Sequence, residues 1–244
     1  MKDQITKAEV TRRSFMAGTT VVGGAILTSQ SVSADPMTTE ETWSKPTNVI
    51  EQIVEVFGGF DFDQESAEAA RKNGTDNARL AYHAKAASRR SHAIQCALQA
   101  EQAGADEPFI AAALVHDIGH SFAAPAPIGL ENEYDDLHGK VAAYWLRNAF
   151  VEEVSEPVLL HVPGKRYLVS TRPEYMGILS AGSIDSLRRQ GGPMTDDEIQ
   201  EFEARPHSDW GVEVRIWDDK AKVRGFELPN IERFIPYLEA SLKL

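Results

Sequence analysis

Phe109-Ile110-Ala111-Ala112-Ala113-Leu114-Val115-His116-Asp117-Ile118-Gly119-His120 carries an unbroken apolar run into a His-Asp pair. Pro108 stands where the first turn of a helix tolerates it, and the spacing predicts a helix reaching to about His116–Gly119. A bare His-Asp dipeptide is more often a hydrogen-bonded polar pair at a helix end than a site. Here the apolar run drives the pair into the interior, where an unpaired carboxylate costs several kcal/mol. A bound cation removes that cost. Imidazole nitrogen and carboxylate oxygen suit iron, manganese or zinc, and Asp117, beside His116, is placed to bridge two ions.

Outward from this pair, nearly every segment carries helical rather than strand periodicity. Helices are expected over Asn48–Phe57, Asp63–Lys72, Ala78–Ala103 and Leu137–Phe150. Glycines or an Asn-Gly pair close the first three. Ala123 to Gly129, with two prolines, reads as a loop. A further helix begins at Pro157, with Pro163-Gly164 expected to interrupt or kink it near His161. Ser180 can cap a helix through Leu187, and Thr195 with Glu198 forms a capping box opening a helix to about Ala204. Ser208–Lys222 and Asn230–Leu242 complete the set. No internal repeat, low-complexity run or convincing hairpin stands out. The expected fold is all-α, a single-domain helical bundle over residues 48–244, with residues 35–47 as a linker.

Four more residues join His116 and Asp117 as candidate ligands. His92 lies among Ser88, Ser91 and Gln95, surroundings typical of a surface histidine. His138 follows Asp135-Asp136 and reads equally as an exposed first-turn residue. His161 follows Val158-Leu159-Leu160, as a neutral core histidine would. Taken together these bland readings need several coincidences in one chain. Asp218 carries the geometric argument. Trp210, Val214, Trp217 and Ala221 form an apolar stripe, and Gly211, Arg215, Asp218 and Lys222 form the stripe beside it. One carboxylate thus borders the core between two cations. An ion-paired, half-exposed face gives the same pattern; the functional alternative is a metal ligand with anion-binding neighbours.

The chain has 244 residues, 42% hydrophobic and 25% charged, as for a soluble globular protein. Its net charge of −12 argues against nucleic acid as a partner. The single cysteine, Cys96, matches no Cys-rich metal spacing and reads as a buried apolar side chain. Residues 1–34 read as a twin-arginine signal peptide. Thr11-Arg12-Arg13-Ser14-Phe15-Met16 is followed by an apolar stretch, Ala17 to Thr28, and by Val32-Ser33-Ala34 as a cleavage site. The stretch is too short and too rich in Gly and Thr for a stable membrane span. Twin-arginine (Tat) export machinery is therefore an expected partner, and the periplasm or exterior the expected location.

The ligands in this order resemble the HD-domain superfamily, and within it the mixed-valent di-iron oxygenases. That branch includes 2-amino-1-hydroxyethylphosphonate dioxygenase and, more distantly, myo-inositol oxygenase. The resemblance spans roughly Ala78 to Arg224. It includes Leu160-His161-Val162-Pro163-Gly164-Lys165-Arg166-Tyr167-Leu168, Leu179-Ser180-Ala181-Gly182-Ser183, Gln190-Gly191-Gly192-Pro193-Met194 and Arg215-Ile216-Trp217-Asp218-Asp219-Lys220-Ala221-Lys222. It implies an HD-type bundle with two iron ions, Fe(II)/Fe(III), and molecular oxygen as co-substrate. His92, His116, Asp117 and Asp218 would bind one iron; Asp117 would bridge to the second, completed by His138 and His161. Lys165, Ser183 and Arg215 match positions that hold a phosphonate, with Lys222 beside them. His120 matches a further substrate-side residue. Tyr82 matches a lid tyrosine that occupies the open iron position before substrate binds.

Two departures bear on the substrate. Where the aminoethyl enzyme has a glutamate facing the substrate's ammonium, this chain has Lys85, which repels an ammonium. A neutral or anionic tail, or a small 1-hydroxyphosphonate, fits better. Pro163-Gly164 stands where the family often has Ala-like residues. The implied reaction is oxidative cleavage of a 1-hydroxyphosphonate carbon–phosphorus bond to phosphate and a carboxylic acid. A metal-dependent phosphohydrolase acting on a phosphoester uses a similar ligand set. A non-enzymatic, anion-binding periplasmic protein would retain only the helical shell.

Overall fold

The computed structural model describes residues 46–58, 78–123, 127–128, 133–223 and 227–244, with side chains from residue 49 in the first helix and from residue 88 in the second. The expected leader, most of the linker and the expected helix at Asp63–Lys72 lie outside these residues, as does part of the Ala123–Gly129 loop.

The helices are α1 (Pro46–Val56), α2 (Ala78–Gln102), α3 (Glu107–Val115), α4 (His138–Leu146), α5 (Glu152–Thr171), α6 (Ala181–Arg189), α7 (Asp196–Glu203), α8 (Ser208–Lys220) and α9 (Ile235–Ala240). Single 3-10 turns cover Ile118–Ser121, Pro173–Ile178 and Ile231–Phe234. Among the described residues there is no strand, only an isolated antiparallel bridge between Phe150 and Leu242. The chain is all-α, and no described helix is long and apolar enough to cross a membrane.

Local chemistry sets several boundaries. Ser180 caps α6 by accepting from the Ser183 backbone N–H, and Thr195 with Glu198 makes both bonds of a capping box at α7. α1 begins at Pro46 rather than Asn48, which places proline in the first turn. α3 stops at Val115, and Asp117 adopts φ −96°, ψ 4° before the 3-10 turn at Ile118. α4 stops at Leu146, short of the expected Phe150. The residues that follow tie to the C-terminus instead, Val151 N–H to Ser241 O at 3.0 Å and Lys243 N–H to Ala149 O at 2.8 Å. The expected C-terminal helix divides into a 3-10 turn and α9 because Pro236 has no N–H to continue it.

The largest correction concerns α5. It neither starts at Pro157 nor breaks at Pro163, but runs unbroken from Glu152 to Thr171. Each proline forfeits one backbone hydrogen bond, yet Val154, Val158, Leu160, His161, Gly164, Lys165 and Leu168 are buried on both sides of them. That burial holds the helix together. Lys165 consequently lies one turn beyond His161.

α5 and α8 cross with their backbones in near contact. A Cβ on Gly164 would meet Gly211 O at 2.9 Å, and one on Gly211 would overlap Leu160. Two apolar clusters flank this crossing. The larger gathers Ile53, Ile94, Leu114, Leu146, Phe150, Trp217 and Phe234; the smaller gathers Leu160, Leu168, Tyr175, Leu187 and Phe202. α5 and α8 contribute to both, so the crossing is anchored on either side.

Candidate metal centre and anion cradle

Five helices or their ends deliver the six candidate ligands. His92 comes from α2, His116 and Asp117 from the end of α3, His138 from the first residue of α4, His161 from α5 and Asp218 from α8. They fall into two triads, His92-His116-Asp218 and Asp117-His138-His161, each with its ligand atoms within 4.8 Å of one another. Asp117 joins them. Its Oδ2 lies 3.5 Å from His92 Nε2 and 3.6 Å from His116 Nε2, while its Oδ1 lies 3.6 Å from His138 Nε2 and 3.7 Å from His161 Nε2. His92 Nε2 stands 3.1 Å from Asp218 Oδ1. Gly119 enables one side of this arrangement, because a Cβ there would overlap the His138 carbonyl.

The outer nitrogens of the rings fix their orientation. Nδ1 donates to Ala221 O at 2.8 Å in His92, to Ala113 O at 2.8 Å in His116 and to Val158 O at 2.6 Å in His161. In His138 it donates to Asp136 Oδ1 at 2.8 Å. Each ring thus directs Nε2 inward, free to bind a metal when the ring is neutral, the usual preparation of a metal-binding imidazole. Two observations fit a cation. His116 Nε2 is buried with no hydrogen-bond partner. His138 Nε2 and His161 Nε2 approach to 3.1 Å, close enough for one proton or one metal cation to be taken by both. A positive ion resolves both.

The protonation balance has the same character. Burial opposes the charge on Asp117, yet His116, His138 and His120 hold it ionised below the usual carboxylate range. Burial likewise opposes Asp218, and Arg215 and His92 overcome it. Burial pushes His116 down, and His161 well down with help from His138 and His116. Burial works against a charged His92 as well, but Asp218 and Asp117 prevail and raise it to about 9.

Against this centre lies a cleft of about 890 Å³, lined by His92, Asp117, His120, His138 and His161 and by the polar groups of α5, α6 and α8. Lys165, Ser183 and Arg215 converge there and all are buried. Arg215 Nη2 donates to Ser183 Oγ at 3.3 Å, Lys222 Nζ to the same oxygen at 3.4 Å, and Lys165 Nζ to Ser186 Oγ at 2.6 Å. Burial, reinforced by Arg215, lowers Lys165 to about 8. Burial opposes the charge on Arg215, but Asp218 and Asp219 keep it firmly protonated. Three cations around two serine hydroxyls make a cradle for an oxyanion.

His120 also borders the cleft, with Nε2 3.8 Å from Asp117 Oδ1 and Nδ1 2.5 Å from Asp136 Oδ2. Tyr82 and Lys85 lie on α2 among residues whose side chains are outside the described set. Four groups of the site are not among the sequence candidates: Asp136, which serves His120 and His138 together; Ser186, which receives Lys165; and the Asp219–Tyr175 pair behind Arg215. For Asp136 and Asp219 a signal was present, since each neighbours or nearly neighbours a candidate ligand.

A two-centre histidine–carboxylate site beside a cationic cradle is the arrangement of a metalloenzyme for a small anionic substrate. No family model matches the chain. It is 40% identical over 161 residues to hydroxymethylphosphonate dioxygenase of Gimesia maris, covering 62% of this chain and 76% of that one. It is 38% identical over 148 residues to 1-hydroxy-2-(trimethylamino)ethylphosphonate dioxygenase (glycine-betaine-forming) of Leisingera caerulea, covering 61% and 76%. An uncharacterized protein of Acanthamoeba polyphaga mimivirus is 28% identical over 205 residues, covering 80% and 82%. The chain belongs to the phosphonate dioxygenase family.

Proposed function

We propose that this protein is a di-iron oxygenase that cleaves the carbon–phosphorus bond of a small 1-hydroxyphosphonate, releasing phosphate and a carboxylic acid. One observation carries the reading: two histidine–aspartate triads, joined by Asp117 of the second, open onto the same cleft as Lys165, Ser183 and Arg215. His92, His116, Asp117 and Asp218 would hold one iron, and Asp117, His138 and His161 the other. The nitrogen and oxygen donors suit iron, and the pair supplies oxygen activation.

The chain's own residues supply position and charge. Arg215, Lys222 and Lys165 neutralise the phosphonate by charge-assisted hydrogen bonds, and Ser183 adds a hydroxyl. Together they fix the carbinol carbon toward the ligand triads, so reaction within the cleft has a set geometry. His120 stands at the substrate side with its Nδ1 proton held by Asp136. The reaction balances with one molecule of oxygen. The carbinol carbon loses hydrogen and phosphorus and becomes a carboxyl carbon, while one oxygen atom enters the acid and the other the phosphate. No outside reductant is needed.

The relatives named for hydroxymethylphosphonate and for a trimethylamino substrate differ in the tail. Lys85, which the resemblance aligns with the tail-facing position, supports a neutral, anionic or absent tail here. The leader supports export by the twin-arginine route and a periplasmic site of action.

The test is an oxygen electrode. Protein loaded anaerobically with iron is offered hydroxymethylphosphonate and longer 1-hydroxyphosphonates. Oxygen uptake matched by phosphate release is expected. Phosphate release from phosphoesters without oxygen uptake would assign the site to hydrolysis.

A further inference from the structure

We propose that Asp219 is a positioning residue that holds the Arg215 guanidinium in its substrate-facing orientation, with Tyr175 as the phenol that orients Asp219. The inference rests on the reading of the cradle as the phosphonate site.

Asp219 grips the guanidinium at two points. Arg215 Nε donates to its Oδ2 at 3.1 Å, and Arg215 Nη2 donates to its Oδ1. Planar two-point contact of this kind fixes a guanidinium far better than a single bond. The Tyr175 hydroxyl donates to Asp219 Oδ2 from the 3-10 turn Pro173–Ile178. Burial keeps that hydroxyl protonated, so it remains a donor. Neither Asp219 nor Tyr175 is among the described residues lining the cleft, whereas Arg215, Asp218 and Lys222 are. The pair acts from behind the wall.

Asp218 makes the need for such a grip specific. Its Oδ2 already accepts from Arg215 Nη1 at 2.5 Å, while its Oδ1 faces His92 and Lys222. Arg215 stands three residues before Asp218 and four before Asp219, so either carboxylate is within reach on one helix face. Without Asp219 the guanidinium would settle on both oxygens of Asp218. It would then leave Ser183 and the substrate, and compete for a candidate metal ligand. Asp219 takes the fork of the arginine, so Asp218 spends one oxygen on it and keeps the other.

Asp219→Asn and Tyr175→Phe test the assignment in the iron-loaded protein. For D219N, KM for hydroxymethylphosphonate should rise about tenfold, further than kcat falls, with iron content held. The dissociation constant of methylphosphonate, measured by calorimetry without turnover, should weaken by the same factor. Y175F should weaken it about threefold. A purely neutralising Asp219 would give the opposite sign, since removing a negative charge would tighten anion binding; that result overturns the proposal. Should D219N fail to fold, unchanged methylphosphonate affinity in Y175F overturns it instead. Wild-type protein that binds methylphosphonate but oxidises no hydroxyphosphonate, with D219N weaker, leaves the positioning role standing and removes the proposed reaction. Wild-type protein that binds no methylphosphonate overturns both.

Discussion

His138 and His161 face each other Nε2 to Nε2 at 3.1 Å, each with its N–H already given away at Nδ1. A proton or a metal cation taken by the two nitrogens satisfies both, so metal binding at this pair should stabilise the fold. At about 100 times its dissociation constant, a metal ion adds about 2.7 kcal/mol. For a chain of this size that raises the melting midpoint by about 5–10 °C. Thermal melts with and without a chelator measure it, and coincident curves would remove the metal assignment.

Metal-free protein should lose stability as pH rises from about 6.5 to about 8. His92 in the folded state keeps its proton to about 9 because Asp218 and Asp117 attract it, while the unfolded ring releases it near 6.5. The folded form thus binds the extra proton, and the stabilisation, complete below 6.5, fades as pH climbs. The loss should be about 2 kcal/mol by pH 8. His120, raised by Asp136 against its burial, adds in the same direction. Lys165 has the opposite slope above about 8, because its folded value lies below its unfolded one. Urea titrations of wild type and His92→Gln should differ in this window; parallel profiles would refute the His92 contribution.

Gly211→Ala should destabilise the protein by about 1–3 kcal/mol, since the new methyl overlaps Leu160 where α5 crosses α8. The same change should weaken metal binding, because the crossing sets His161 against Asp218. Iron content and melting midpoint should fall together. A variant with normal iron content and a lowered midpoint would separate the crossing from the centre.

Lys165→Ala should lower kcat/KM for a 1-hydroxyphosphonate by about a hundredfold, the value of a buried charge-assisted contact of about 2–3 kcal/mol. The iron content should not change. Steady-state kinetics on the smallest substrate read this directly, and an effect below threefold would place Lys165 outside the binding site.

Lys85→Glu should shift preference toward substrates with an amino or quaternary ammonium tail, since it reverses the charge at the position that, by the resemblance, meets the tail. Competition between hydroxymethylphosphonate and its aminoalkyl analogue measures the shift. An unchanged ratio means that Lys85 does not face the tail.

Much of the fold was legible because it is written in local patterns. The capping box at Thr195 and the cap at Ser180 lie within a few residues of what they bind, and amphipathic stripes announce helices. α5 was misread because a proline is a local signal, whereas the burial of Leu160, His161 and Lys165 that carries the helix past Pro163 comes from distant packing. The candidate ligands were legible as residue types at suggestive positions. The groups that orient them were not. Tyr175 meets Asp219 across 44 residues and Lys165 meets Ser186 across 21, and no periodicity in one chain marks such pairs. Asp136 read as part of an exposed acidic run, yet its two oxygens serve two histidines.

The glycine contact between α5 and α8 has an evolutionary consequence. His161 and Lys165 ride on one helix, Arg215 and Asp218 on the other, and Gly164 against Gly211 locks the two at fixed separation. The span from ligand triads to anion cradle is thereby a constant of the scaffold. Substitutions at the cleft's edges can then alter what touches the rest of a substrate without changing that span, so the scaffold leaves room for new preferences to evolve there.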